Sequence, residues 1–419
     1  MPPCRKGVGV TVVVSEGVEL DLRASPLNDE TQVVEGKVTV IGCAVFDDHE
    51  RILPLVSEFL TKASQTKKLS FPSVKTYGRN LGYLVDHLSR LPEFDGCSSD
   101  EILLTVKRPT IAAYIVDLRR VYGIDSVTIR NRDACYRTFY NKFLCVRSDD
   151  QEVRRKNNPY AAGFISPSPK RKLVKACSPQ ELEALVLSTK NERERALLQF
   201  IFDAGLRRSE VGRITLDAIN KALRFSREQM IVDSKTVPEV PVYCPLFVEG
   251  SKGRGGETKQ RYSIVSRPTL DRIKKYHATP LYKRYAARYE SPEKTPAFFN
   301  ANGDPFNADA ISALLERISE RGVKFKRLER SVAPHKLRHG HAYAILNSPD
   351  IGKDILDQMV IVQMSLGHDR PDTTDIYTHI PQDMYRALCG NESVLLTKAE
   401  TMAQLWKNTA VRIDIRMKK

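Results

Sequence analysis

The segment LGHDRPDTTDIYTHI, residues 366–380, is the last of three motifs that carry arginine, histidine or tyrosine. It follows AGLRRSE at residues 204–210 and HKLRHGHAY at residues 335–343. Each motif alone is a weak signal, because HxxR occurs by chance in many proteins and a tyrosine usually serves packing. Their presence in this order along one chain needs an explanation that joins all three.

The charge of the chain indicates a polyanionic partner. Its 419 residues are enough for two or three domains, and 41% hydrophobic and 28% charged residues are typical of a globular protein. The formal net charge of +15 favours a nucleic acid partner over a merely soluble basic surface. Residues 1–50 hold four Lys or Arg against nine Asp or Glu, so the positive surplus lies in the rest of the chain.

Cysteine usage and hydropathy predict a cytoplasmic protein that does not contact membranes. The eight cysteines include no CxxC pair, which favours reduced thiols over a disulfide framework or a zinc finger. The early apolar run VGVTVVV is too short for a membrane span and lacks the cleavage pattern of a signal peptide.

Three segments precede the first arginine motif. Residues 1–47 alternate β-rich runs with a turn-rich insert, which predicts an acidic, strand-containing extension. Residues 48–149 show helical periodicity and predict a compact helical bundle. Residues 150–177 lose this periodicity and gain Pro, Asn and charge, which is typical of a basic linker. The apolar faces that we expect in three bundle helices are Val74, Tyr77, Leu81, Leu84, Val85 and Leu88; Ile111, Tyr114, Ile115, Leu118 and Val121; and Ile129, Tyr136, Phe139, Tyr140 and Phe143.

Two basic groups in this half are candidates for contact with phosphates. One lies on a bundle helix, opposite its apolar face, and the other lies in the KRKLVK run of the linker. That run is either a nuclear-localisation patch or, as we prefer, a basic strap along the DNA backbone. The candidate DNA-binding residues are Arg130, Arg132, Arg137, Lys170, Arg171 and Lys172.

The second half predicts a larger, mainly helical domain over residues 178–390. Ser178 and Glu181 form a capping box, and the helix through ERERALLQFIFDAG should stop at Gly205. A strand, a glycine-rich turn and another strand follow, and helical patterns return after them. Residues 391–419 predict a C-terminal helix or tail. Its apolar stripe consists of Leu395, Ala399, Met402 and Trp406. The fold class expected for the whole chain is mainly α with a small β-sheet, α+β.

The motifs together supply a metal-free set of groups for breaking a phosphodiester. Two arginine forks match the negative charge that builds on the non-bridging oxygens. A tyrosine hydroxyl, with a pKa near ~10, becomes a better nucleophile beside a base and a cationic cluster. A positioned lysine can protonate the departing sugar hydroxyl. The candidates are Arg207, Lys252, His335, Arg338, His368 and Tyr377, with Glu210 three residues after the first arginine.

Two other interpretations fit these motifs less well. His335 and His339 are four residues apart, as in a metal site, but HExxH is absent and neither Cys nor acid completes the ligands. The glycines around Lys252 resemble a phosphate loop, but GxxxxGK[ST] is absent and no helix follows. The sequence therefore predicts no metal and no cofactor, and a β-hairpin that presents a lysine.

In this order, AGLRRSE, the hairpin SKG…KQR, HKLRHG and LGHDRPDTTDIYTH resemble the signature of the tyrosine recombinase, or lambda-integrase, family. The likeness covers about residues 48–390 and includes TFYNKFL in the bundle and NNPY in the linker. It implies a helical core-binding domain and a catalytic domain that clamp double-stranded DNA as a C shape. It also implies four protomers that join two DNA sites, for integration, excision or mobile-element recombination.

The resemblance assigns a role to each candidate in strand cleavage without ATP or metal. The roles implied are the phosphate clamp for Arg207 and Arg338, the general acid for Lys252, a base or phosphate ligand for His335, a hydrogen-bond donor for His368, the nucleophile of a 3′-phosphotyrosyl bond for Tyr377, and support of the pocket for Glu210.

The chain departs from the family pattern in two places. The segment before the hairpin and the hairpin turn are long, so Lys259 is an alternative general acid to Lys252. The acidic extension does not resemble the basic arm-binding domain of phage integrases, and contacts between protomers are an alternative role. The C-terminal stripe is expected either to dock into a neighbouring protomer or to pack on its own domain. A type IB topoisomerase and an inactive DNA-binding regulator on the same fold are the rival functions.

Overall fold

A computed structural model describes residues 10–21, 37–147, 152–170, 175–228, 241–250, 259–367 and 396–410. The chain forms two units, one made of residues 1–171 and the other of most of residues 172–419, so the division falls within the predicted linker. Both units are mainly helical, and each contains a two-stranded antiparallel sheet. The predicted mainly α fold class with a small β component is confirmed. No helix in the described ranges is long and apolar enough to cross a membrane.

The first unit combines a hairpin with a helical bundle. Its elements are β1 (Thr11–Asp21), β2 (Lys37–Phe46), α1 (Pro54–Gln65), α2 (Phe71–Ser89), α3 (Ser99–Thr105), α4 (Arg108–Arg120) and α5 (Ser126–Phe139). The predicted apolar faces of α2, α4 and α5 lie in its core, where Tyr77 and Phe143 are partly buried. The prediction is wrong for Val121, which is 71% exposed. Helix α4 ends at Arg120, so Val121 no longer follows the face that the helical period defines.

The N-terminal hairpin shares the core of the first unit. Val45 of β2 is fully buried there. Strand β1 lies against α2 at Gly78, where a Cβ atom would lie 3.0 Å from the methyl groups of Val12. Helix α1 covers the other edge, since the Ser57 hydroxyl accepts a 3.0 Å hydrogen bond from the amide of Val45. The segment predicted as an extension, residues 1–47, therefore contributes its described strands to the same core as the helices.

The second unit is built around the central helix α7. Its elements are α6 (Pro179–Leu187), α7 (Glu192–Asp203), α8 (Leu216–Glu228), β3 (Tyr243–Val248), β4 (Arg261–Ser266), α9 (Arg267–His277), α10 (Pro280–Ala286), α11 (Ala308–Lys324), α12 (Pro334–Leu346), α13 (Ile355–Leu366) and α14 (Lys398–Thr409). The predicted capping box is confirmed, with Ser178 and Glu181 exchanging hydrogen bonds of 3.0 and 3.1 Å. Helix α7 ends before Gly205, whose φ is +59°, as predicted. Strands β3 and β4 form the predicted hairpin.

The C-terminal helix α14 packs on α6, α7 and α9 of the second unit. Ala399 and Met402 of the predicted stripe are buried, together with Leu405, while Trp406 is half-buried and Leu395 lies outside the described residues. Lys398, at the start of the helix, forms a fully buried ion pair with Asp203 of α7. In this single chain the helix is therefore fixed to its own domain by both apolar and ionic contacts.

Candidate active site

The first predicted arginine, Arg207, lies in the turn after α7. Its Nη1 donates a 2.7 Å hydrogen bond to Oε1 of Glu210, three residues further on. The side chain is 30% exposed, so one side of the guanidinium is fixed by the protein while the other side is open to solvent. An arginine held in this way is preorganised for an anion that arrives from solvent.

The second predicted arginine, Arg338, lies on α12 and is almost fully buried. Its Nη1 donates to the carbonyl of Gly205 at 2.6 Å, and its Nη2 donates to the carbonyl of Leu366. Arg207 also reaches Leu366, from Nη2 at 3.4 Å. Two motifs that are about 130 residues apart in sequence therefore meet at the end of α13.

Glu210 connects the arginines of this site. Its Oε2 accepts from the backbone amide of Arg207 at 2.8 Å and from Nη2 of Arg261 at 2.7 Å, and it lies 3.9 Å from Nη1 of Arg338. Burial alone would raise the pKa of Glu210, but the neighbouring charge of Arg261 and the other donors outweigh it. The pKa of Glu210 is therefore below its ordinary value, and the carboxylate is ionised.

His335 lies one helical turn before Arg338 and is exposed. Partial desolvation, followed by repulsion from Arg338 and Arg207, lowers the pKa of His335 below its ordinary value. The imidazole is therefore uncharged at neutral pH and can accept a proton. The centres of the His335 and His339 rings are 4.3 Å apart, and the ring planes are inclined at 72°. Among the described residues, no cluster of three His, Cys, Asp or Glu side chains could hold a metal ion.

Three predicted site residues, Lys252, His368 and Tyr377, lie outside the described residues. Helix α13 ends at the left-handed Gly367, and His368 is the next residue in sequence. The alternative lysine, Lys259, is exposed two residues before β4, while Lys252 follows two residues after Gly250 on the β3 side. In sequence, both lysines lie between β3 and β4.

Arg261 was not among the predicted site residues, although it is the last residue of the hairpin motif SKG…KQR. Arg261 is buried at the start of β4 and binds Glu210. One feature of the sequence could have indicated that Arg261 is buried. Side chains alternate between the two faces of a strand, and Arg261 lies on the same face of β4 as the buried Ser263 and Val265. Because arginine is seldom fully buried, its presence at this position would ordinarily suggest that the end of the strand is exposed to solvent.

The candidate DNA-binding residues of the first unit have partners within the protein. Arg130 and Arg137 stack on Phe164, with guanidinium carbons 3.4 and 4.5 Å from the ring centre. Arg132 lies 5.1 Å from the ring of Tyr83. All three arginines are half-buried and attach α5 to its neighbours, and their contact with DNA stays a prediction. Of the linker residues, Lys170 is exposed, and Arg171 and Lys172 lie outside the described residues.

Comparison with known proteins identifies the family of this chain. Residues 171–383 match the model of the phage integrase family, which is half of the chain. The chain belongs to this family of tyrosine recombinases. Enzymes of the family break and rejoin DNA strands in site-specific recombination, and this member is an enzyme of that class.

Similar proteins cover most of this family member. Tyrosine recombinase XerD of Halalkalibacterium halodurans is 24% identical over 336 residues, which are 79% of this chain and 94% of the relative. The post-cleavage complex of XerH recombinase with palindromic difH substrate has a TM-score of 0.52 at 16% identity, covering 79% of this chain and 83% of that one. The Tn1549 transposon integrase in complex with transposon right end DNA has a TM-score of 0.51 at 14% identity, covering 80% and 97%. These two structures show that the fold is shared.

Proposed function

We propose that this protein cleaves each DNA strand with Tyr377, forms a 3′-phosphotyrosyl bond and exchanges strands between two sites. The observation that carries the proposal is the Glu210 cluster, in which the carboxylate of Glu210 lies next to the guanidinium groups of Arg207, Arg261 and Arg338. It brings Arg207 and Arg338 together at the last turn of α13, from which the chain continues directly to His368. The sites would be those of integration, excision or a mobile element, joined by four protomers.

The two arginines form the proposed phosphate clamp. Attack on a phosphodiester increases the negative charge on the non-bridging oxygens, and preorganised guanidinium groups stabilise that charge. Arg338 is held by backbone carbonyls, while Arg207 is fixed by Glu210 and remains 30% exposed to solvent. Both arginines are therefore positioned before the substrate binds.

The proton transfers follow from the remaining groups. The phenolic oxygen of Tyr377 bonds to phosphorus, and its proton passes to a base, for which the uncharged His335 is suited. The bond from phosphorus to the 5′-oxygen breaks, and that oxygen takes a proton from a lysine of the hairpin turn. Because the covalent bond to tyrosine preserves the energy of the phosphodiester, rejoining by the reverse reaction needs no ATP.

Replacement of the general acid should slow cleavage in a way that depends on the leaving group. We expect Lys252→Ala to slow cleavage of an ordinary substrate roughly 10²-fold. A substrate with sulfur in place of the bridging 5′-oxygen should be spared, because a thiolate leaves without protonation. Lys259→Ala is the matched comparison, and single-turnover rates on both substrates are the measurement. If the pattern appears in Lys259→Ala instead, that lysine is the acid; equal losses on both substrates in both variants would place the acid elsewhere.

Strand exchange distinguishes the proposal from the topoisomerase alternative, which shares the cleavage chemistry. Covalent cleavage positions are first mapped on DNA from around the gene, and two copies of the mapped site are placed on one supercoiled plasmid. We expect recombinant products and a stable complex that holds two duplexes. Relaxation of any supercoiled plasmid by a monomer, without recombinants, would support the topoisomerase and contradict the proposal.

A further inference from the structure

A charged side chain occupies an interior position at the start of β4. The inward residues of this strand are Arg261, Ser263 and Val265, while Tyr262 between them is 64% exposed. Only 4% of the Arg261 side chain is exposed. A guanidinium at this depth needs compensating partners, because burial of an unpaired charge is strongly unfavourable.

The partners of Arg261 come from two segments that build the candidate active site. One is the turn that carries Arg207: Nη2 donates to Oε2 of Glu210 at 2.7 Å and lies 3.4 Å from the carbonyl of Gly205. The other is the last turn of α13, where Nη1 donates to the carbonyl of Ser365. Both Nη atoms of Arg261 are therefore engaged with the two segments that carry the site.

The contact with α13 is fitted to the shape of Arg261. Gly367 ends the helix with φ of +62°, and a Cβ atom at this residue would lie 2.7 Å from Cδ of Arg261. Two further side chains hold the same turn, since the Ser365 hydroxyl is 2.8 Å from the Ser263 hydroxyl and 2.7 Å from Nε2 of His341. The turn that precedes His368 is thus fixed by β4 and α12.

Charge balance gives Arg261 a second effect. The cluster joins one carboxylate, Glu210, to the guanidinium groups of Arg207, Arg261 and Arg338. With Arg261 present, the single carboxylate is shared among three guanidinium groups, so two of the three positive charges stay uncompensated for the substrate. Without it, the carboxylate would offset one clamp arginine, and the nearby Nη1 of Arg338 would be attracted to it.

We infer that Arg261 is a positioning residue of the phosphate pocket, which neutralises Glu210 and fixes the last turn of α13 so that Arg207 and Arg338 face the scissile phosphate. The inference rests on the proposed function. It predicts that loss of the Arg261 charge weakens stabilisation of a negatively charged phosphorane-like transition state, beyond any effect on folding.

The test compares Arg261→Met with Arg261→Lys on two substrates, an ordinary phosphodiester and a methylphosphonate that lacks one charged oxygen. We expect Arg261→Met to slow diester cleavage about 10- to 100-fold and to slow methylphosphonate cleavage much less. Arg261→Lys keeps the charge and should keep the wild-type ratio of the two rates. The matched control is Arg272→Met, because Arg272 is equally buried but binds Glu192 and Gln199 elsewhere in the unit. Any loss in that variant should be the same on both substrates.

Two results would overturn the inference. One is a folded Arg261→Met protein with the wild-type diester rate, and the other is an equal loss on both substrates. If Arg261→Met does not fold, Arg261→Gln, which removes the charge but keeps a polar amide at this position, takes its place, and the same two outcomes decide. Wild-type protein that forms no adduct at Tyr377 would refute the proposed function instead, so the two failures are distinguishable.

Discussion

Tyr377→Phe protein is expected to form no covalent complex with DNA while binding it as the wild type does. The substitution removes only the phenolic oxygen, so the nucleophile is lost and the basic surface is unchanged. No other hydroxyl of the proposed site can replace it, since the remaining groups are nitrogen donors and acceptors and one carboxylate. The measurement is trapping on a nicked suicide substrate, which loses the short strand after cleavage, followed by a denaturing gel and mass spectrometry of the adduct.

Tyr385→Phe is the matched control, because it removes the same atom eight residues further along the chain. It should form the adduct at the wild-type rate. An undiminished adduct in Tyr377→Phe would refute the assignment of the nucleophile. An adduct lost in Tyr385→Phe and kept in Tyr377→Phe would transfer the role to Tyr385.

The adjacent arginines of the first motif should differ greatly in their importance. We expect Arg207→Ala to slow single-turnover cleavage about 10³-fold, as the loss of one preorganised donor does in other enzymes. Arg207 belongs to the Glu210 cluster, since its Nη1 donates a 2.7 Å hydrogen bond to Oε1 of Glu210. Arg208→Ala should cleave at nearly the wild-type rate, because Arg208 is 51% exposed and forms its ion pair with Asp309 on α11.

This pair controls for charge, since each variant loses one positive charge from the same turn. Affinity measured at several salt concentrations separates binding from cleavage, because phosphate contacts depend steeply on salt. Equal losses of cleavage in the two variants would mean that the turn contributes only general positive charge, and the clamp assignment would then be wrong for Arg207.

Local patterns in the sequence predicted the elements that depend on near neighbours. The apolar period placed the buried faces of α2, α4 and α5, and the capping box at Ser178 marked the start of α6. The error at Val121 arose where the period was extended one residue past the end of its helix. The packing of β1 on α2 was missed because it depends on two glycines in a helix that otherwise looks ordinary, Gly78 and Gly82.

The residues of the candidate site that lie within the arginine and histidine motifs could be predicted from the sequence. Arg207, Glu210, His335 and Arg338 were identified from residue type and order, and the structure brings the two arginines and the carboxylate together. Arg261 could not be found in this way. Its significance comes from a partner 51 residues earlier in the chain and another about 100 residues later, and no local pattern encodes contacts over such separations.

The packing of the N-terminal hairpin in the core of the first unit limits where this recombinase can be truncated. Val45 of β2 is buried in the core of the bundle, and Val10 and Val12 lie against Gly82 and Gly78 of α2. A fragment that starts at α1 would lack the valines that pack on Gly78 and Gly82 of α2. It would also expose to water the hydroxyl groups of Ser57 and Thr61 on α1, which bind β2 in the full chain. The hairpin and the bundle therefore form one folding module, and a fragment of the first unit that keeps this core intact has to include Val10.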